Sequence, residues 1–349
     1  MRKFSGKTRF LVVAVFVAFA MSVGAAQPFA NATPRCFGKP ATIVGAGTIM
    51  GTPGNDVIVG SLGDDGIDGQ GGDDLICALD GDDVVQGGPG NDSVDGGPGG
   101  DFMNGDILSF EAVDLTCAGG NDLLLGGLGV DFIAGDCTVE TEDSSKGHVS
   151  GTGGNDTIFG GEDTDFIAGD HNGSYVSARS GNDVIDGSLD DDFVINGDSV
   201  ATYLVSGASG NDTITGGDGS DFYLVGDSGV FTCDGVITGD GGNDVIRGGA
   251  GDDGPLIGDH NPVCGIPTGR SGNDSLFGDD GDDQLHGDNL TDSGNPVVDS
   301  GDGKDSCNGG AGADTAAKCE SVSDARKLRT VPVAAQGPES ISGALSQPV

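Results

Sequence analysis

Aspartate returns at fixed intervals along most of this 349-residue chain. It occupies the sixth place of a nine-residue phrase, G-G-x-G-N-D-x-U-x with U apolar. The cleanest copy is Gly87-Gly88-Pro89-Gly90-Asn91-Asp92-Ser93-Val94-Asp95. An uninterrupted run from Gly51 to Asn104 carries Asp56, Asp65, Asp74, Asp83, Asp92 and Asp101. Seven further pairs carry Asp122 and Asp131, Asp156 and Asp165, Asp183 and Asp192, Asp212 and Asp221, Asp244 and Asp253, Asp274 and Asp283, and Asp305 and Asp314. Fifteen Lys and Arg stand against 56 Asp and Glu, so these carboxylates have few bases to pair with. A register held twenty times is chemistry for a cation; diffuse acidity would only aid solubility. Phosphate recognition needs a basic patch, which excludes nucleic acid as a partner.

The phrase also dictates the elements that must position these carboxylates. Glycines at places one, two and four permit positive φ and close backbone approach, as a tight turn requires. Place eight is Ile58, Ile67, Ile76, Val85, Val94, Met103, Leu124, Ile133, Ile158, Ile167 and Ile185 in the first copies. An aliphatic residue flanked by two others makes a short strand with one side chain inward. Such a strand buries nothing alone, but a fixed short period builds a solenoid in which coil stacks on coil. Two phrases close one coil, giving two facing parallel sheets with an aliphatic column between them. At about 4.8 Å per coil, ten coils make a rod of about 50 Å.

The run resembles the RTX, or haemolysin-type, calcium-binding nonapeptide repeat. Gly51-Thr52-Pro53-Gly54-Asn55-Asp56 and Gly151-Thr152-Gly153-Gly154-Asn155-Asp156 are close copies of its motif. The resemblance implies an all-β parallel β-roll with Ca²⁺ bound between turns of successive coils. The donor chemistry agrees independently. Calcium takes roughly six to eight oxygens at about 2.3–2.6 Å, and a glycine turn with one Asp offers carbonyls and a carboxylate. Magnesium demands tighter octahedral geometry and keeps its water. The bland alternative, Asp as a turn cap, does not need so long a register. Sites at the two ends should be weaker, each lacking one neighbour.

After Asn104 the repeat pairs alternate with excursions at 105–116, 135–150, 169–177, 196–206, 225–238, 257–268 and 287–299. All leave from the same point of a coil, so they should project as loops on one side of the rod. Each opens at or near a Gly-Asp, from Gly105-Asp106 through Gly135-Asp136 and Gly169-Asp170 to Gly287-Asp288. Those aspartates are either extra ligands or the start of a third, degenerate turn. Phe102, Phe132, Phe166, Phe193 and Phe222 occupy place seven and should point outward. The excursions are the expected cover for them; an exposed ridge that grips a glycan or a partner is the alternative. Three units carry an extra residue (Asn196, Val225, Ile257), which reads as a bulge, and Pro255 falls where an aliphatic belongs.

The ends read differently. Residues 1–32 combine a basic start, an apolar Leu11 to Val23 and a small-residue cleavage site at Ala30-Asn31-Ala32, the marks of an export signal. Removing them removes four basic residues and no acidic ones, leaving 11 against 56 and a net charge of −45. Residues 33–50 are then an N-terminal cap, 51–104 uninterrupted repeats, 105–317 repeat pairs with excursions, and 318–349 a closure and flexible tail. Many similar proteins use a C-terminal secretion signal instead, so this chain departs from that pattern. No second apolar stretch is long enough to span a membrane. The eight cysteines point to disulfides in an oxidising compartment. Coil spacing suggests Cys117 with Cys137, Cys233 with Cys264, Cys36 with Cys77 and Cys307 with Cys319.

No HExxH, no GxSxG in strand and helix context and no cluster of His with basic residues appears. The sequence therefore reads as a secreted, extracellular calcium-binding protein, not an enzyme, with a structural, adhesive or matrix role. Cell-surface or matrix glycans or proteins are the partners such a role implies. A calcium-dependent polysaccharide lyase or epimerase is the alternative. A flat rank of threonines, as ice binding needs, is missing, since place two is Thr only at Thr52 and Thr152.

Overall fold

The computed structural model describes residues 33–111, 114–141, 147–230, 232, 235–262, 267–289 and 303–323, with the backbone of Arg329–Thr330. The leader read over 1–32, the tail and the Cys233–Cys264 pairing lie outside the described residues. Every described regular element is a strand.

Two 12-stranded parallel sheets form the long walls of the solenoid. Consecutive phrases alternate between them. Val57–Val59, Leu75–Cys77, Ser93–Pro98 and Leu123–Leu128 stack in one wall; Gly66–Asp68, Val84–Gln86, Phe102–Asn104 and Phe132–Ala134 stack in the other. Register is kept at place eight: Ile58 aligns with Ile76, Ile76 with Val94, and Val94 with Leu124. These inward residues build one continuous core from Ile49 to Ala316, most of it without solvent contact. Each buried aliphatic contributes about 1.5–3 kcal/mol, and each is useful only when the next coil covers it.

The excursions do lie on one side, but they are more than loops. Their outgoing and returning legs stack, coil on coil, into a third, 9-stranded sheet. Leu108–Ser109 pairs with Thr138–Val139, and Asp114–Ala118 with His148–Thr152, all parallel. Val139, Val149, Val176, Ala201, Val205, Val230 and Ile237 pack into a second core of their own. The roll is two-sided up to Asn104 and gains a third wall beyond it.

Two local expectations change. The extra residue in the three bulged units precedes the strand, so Ile195, Leu224 and Leu256 enter the core, and Pro255 falls just before the strand Leu256–Ile257. The phenylalanines stack as a ladder, with ring centroids 4.6 Å apart between Phe132 and Phe166 and 5.5 Å between Phe193 and Phe222. The excursions leave it partly open: Phe193 and Phe222 are 42% and 48% exposed, whereas Phe102, Phe132 and Phe166 are half-buried. Phe110, in the first excursion, packs back on it with its ring 6.4 Å from Phe102.

Three disulfides tie the roll where spacing suggested. Cys36, in a short antiparallel hairpin at the start, joins Cys77; Cys117 joins Cys137 inside the second core; Cys307 joins Cys319 at the far end.

Candidate metal centre

The walls bring the twenty place-six aspartates into two columns, one at each turn between them. The first runs Asp56, Asp74, Asp92, Asp122, Asp156 and on to Asp305; the second runs Asp65, Asp83, Asp101, Asp131 and on to Asp314. All are buried. Within each column the backbone N–H of one Asp donates to Oδ1 of the Asp in the next coil, at 2.7–3.2 Å. That bond fixes the carboxylate and leaves Oδ2 for something else. From Asp74 through Asp283, Oδ2 is buried with no hydrogen-bond donor among the described residues.

Glycine at place one keeps the space beside that oxygen clear. A Cβ built on Gly69 would lie 2.6 Å from Asp74 Oδ2 and would also collide with the carbonyl oxygen of Gly87 in the next coil. Gly87 and Gly126 repeat this relation with Asp92 and Asp131, and Gly135, which opens an excursion, does the same for Asp156. A carboxylate oxygen and a backbone carbonyl thus border one small volume at turn after turn, a donor set that suits a hard cation. Without a cation, burial pushes the carboxyls up: Asp92 to about 8, Asp122 to about 9, Asp131 to about 7 and Asp165 to about 8, with neighbouring carboxylates adding to the shift at Asp92, Asp122 and Asp165.

The first coil is different. Thr42 Oγ1 donates to Asp56 Oδ1 at 3.0 Å, and Thr52 donates to Asp56 Oδ2 through N–H and hydroxyl at 2.7 and 2.8 Å. Gly47 and Ser61 N–H groups donate to Asp65. Protein donors already satisfy both carboxylates at that end.

The Gly-Asp residues open a further wall, and their carboxylates lie beside the first column. Their backbones begin the third wall, Asp106 N–H bonding the Asp136 carbonyl and Asp136 N–H that of Asp170. Their buried carboxylates turn back toward the first column, where Gly120, Gly154 and Gly181 N–H groups donate to Asp106, Asp136 and Asp170 at 3.0–3.1 Å. Asp122, Asp136 and Asp156 each bring a carboxylate oxygen within 4.8 Å of the others, and Asp156, Asp170 and Asp183 do the same. The first column therefore has a richer acidic surround than the second.

Place five carries a role that the sequence alone did not reveal. Asn121 donates through N–H and Nδ2 to Asn91 Oδ1, both at 3.0 Å, and Asn155, Asn182, Asn211, Asn243 and Asn273 continue this exposed ladder. The recurring Asn-Asp pair was the available signal: Asn links neighbouring turns outside while Asp faces in.

Among the described residues, the types expected of a lyase or epimerase meet in one stack on the third wall. His148 and Tyr175 lie 4.6 Å apart and nearly parallel, with Tyr203 5.6 Å beyond.

Stacked glycine turns, inward aliphatics and paired aspartate columns define a calcium-binding β-roll of the RTX class. The family model for the RTX calcium-binding nonapeptide repeat matches this chain at 44–76, 78–107, 118–136, 147–170, 175–198, 204–228, 234–254, 268–294 and 290–316. The chain belongs to that family. A comparison with curated proteins returned no match.

Proposed function

We propose that this is a secreted protein whose roll folds when calcium fills the spaces beside the place-six aspartates, and that it serves a structural or adhesive role outside the cell. The unpartnered Oδ2 atoms from Asp74 through Asp283 carry this reading. A buried anion without a donor is costly, and repeating it coil after coil is stable only when a cation supplies the missing charge. Asp56 through Asp314 are the proposed ligands, Asp56 and Asp65 the weakest because protein donors already hold their carboxylates, with Asp106, Asp136 and their equivalents adding to the first column. Calcium supplies the positive charge; the chain supplies oxygens held by the Asp-to-Asp backbone bonds and cleared by glycine. Binding energy then becomes folding energy. Circular dichroism of the purified chain tests it. β signal should appear with millimolar calcium and vanish with EGTA, and a spectrum indifferent to both would sink the proposal.

The three disulfides and the leader-like 1–32 support export to an oxidising, calcium-rich space. The partly exposed phenylalanine ladder supports an adhesive role toward surface glycans or proteins. Calcium-dependent retention on cells that is lost in Phe193→Ser/Phe222→Ser would bear it out; equal retention would leave a structural module. The His148–Tyr175–Tyr203 stack is what an enzymatic reading rests on, and turnover of an acidic polysaccharide by the purified protein would establish it.

A further inference from the structure

Among the described residues, one buried imidazole stands in the oxygen-rich interior with neither ring nitrogen hydrogen-bonded. His171 follows the Gly-Asp of the third excursion and is fully buried. Its Nδ1 lies 3.8 Å from Asp136 Oδ2, beyond hydrogen-bond range. Neither ring nitrogen has a hydrogen-bond partner among the described residues. Asp136, Asp170 and His171 nevertheless each bring one donor atom within 4.8 Å of the other two.

His260 shows what a structural histidine looks like at the equivalent place. It too is buried, with Nδ1 3.6 Å from Asp227 Oδ2. There, however, Ser228 N–H donates to Nδ1 at 3.4 Å and Nε2 meets the Gly239 carbonyl at 3.3 Å. The other equivalent positions are Ile107, Cys137, Ser199, Ser228 and Asn289, so the fold does not require an imidazole there.

We propose that Asp136, Asp170 and His171 form a binding site for a divalent transition metal such as zinc, cobalt or manganese, distinct in chemistry from the calcium columns. Calcium takes oxygen donors, whereas imidazole suits zinc and its neighbours. Two carboxylates and one imidazole leave one coordination position open. Backbone donors hold both carboxylates in place: Gly154 N–H donates at 3.0 Å to Asp136 Oδ2, the oxygen that faces the imidazole, and Gly181 N–H donates to Asp170 at 3.1 Å. Cys117 and Cys137 lie beside the imidazole, but their disulfide removes the thiolates that would otherwise compete. The site rests on the calcium reading only in needing a folded roll. It draws on Asp136, which also faces Asp122 and Asp156, and on Asp170, which also faces Asp156 and Asp183, so its occupancy must be read with calcium present.

The test is a Co²⁺ titration of the full, oxidised chain in excess calcium, followed by visible absorption and calorimetry. One equivalent should bind with nitrogen-oxygen ligand-field bands. His171→Ala should weaken it at least tenfold, while His148→Ala, which removes an exposed histidine, should leave it unchanged. Absence of cobalt binding, or equal binding by His171→Ala, overturns the site. Should His171→Ala fail to fold, pulsed electron paramagnetic resonance of Mn²⁺ on the unaltered chain decides: imidazole nitrogen coupling supports the site, and its absence overturns it. A chain that ignores calcium yet takes cobalt at His171 would refute the calcium reading alone.

Discussion

The backbone N–H of Asp92 donates to Oδ1 of Asp122 at 2.7 Å although 30 residues separate them. Asp74 reaches Asp92 by the same bond across 18 residues. The first excursion is thus inserted without disturbing the column. Each interior Asp holds its neighbour's backbone with one oxygen and presents the other to the space between turns. Asp122→Ala should therefore raise the calcium midpoint for folding on the order of tenfold, the loss of one charged hydrogen bond and one ligand. Asp56→Ala should change it about twofold or less, since Thr42 and Thr52 already satisfy that carboxylate. Parallel titrations followed by circular dichroism compare the two, and equal shifts would contradict the difference between end and interior.

Acid should partly replace calcium. Burial raises Asp92 to about 8, Asp122 to about 9 and Asp131 to about 7, from the ordinary carboxylate value of 3.8. Between that value and those, the metal-free folded chain binds more protons than the unfolded one. Its stability is then greatest in acid and is lost as pH rises through about 7 to 9. In EGTA, β signal should grow as pH falls from 8 toward 4. With calcium, binding displaces those protons, so the calcium midpoint should fall as pH rises. A metal-free roll more stable at alkaline than acid pH would contradict this.

Glycine at place one should be far less replaceable than an unhindered glycine such as Gly63. A Cβ on Gly126 would strike both the Gly160 carbonyl and Asp131 Oδ2, whereas one on Gly63 meets nothing within 4 Å. Gly126→Ala should cost about 1–3 kcal/mol by overpacking and lower the calcium stoichiometry. Gly63→Ala should do neither. Calorimetric titration of both variants checks stoichiometry, and chemical denaturation in calcium checks stability.

Some turns should improve on substitution. Asp163 sits at place four with φ 76°, where the equivalent Gly129 and Gly219 also adopt positive φ. Asp163→Gly should stabilise the calcium-bound roll by roughly 0.5–1 kcal/mol, the left-handed strain less the entropy of glycine. A destabilised variant would show that the Asp163 carboxylate does more than occupy a turn.

Place eight and place six were legible in sequence because period alone decides which residues point inward. Ile58, Ile76 and Val94 could form a column only at two phrases per coil, and that spacing also stacks Asp56 on Asp74. The third wall was not legible. Its legs, such as Leu108–Ser109 and Asp114–Ala118, share no phrase, and their pairing depends on stacking between coils rather than on local pattern. The phenylalanine ladder was readable as outward but not as partly open, since its cover depended on where the excursions went. Pro255 misled because the bulge was assigned after the strand when it precedes it. His171 and His260 look alike in sequence, and only their neighbours distinguish them.

Diffraction from calcium-grown crystals, with data collected for anomalous scattering, tests the central claim most directly. Ordered calcium should appear beside Oδ2 of interior aspartates such as Asp92, Asp122 and Asp131, bridging to carbonyls of the adjoining coil. The same roll, formed in abundant calcium with those oxygens facing no ion, would contradict it.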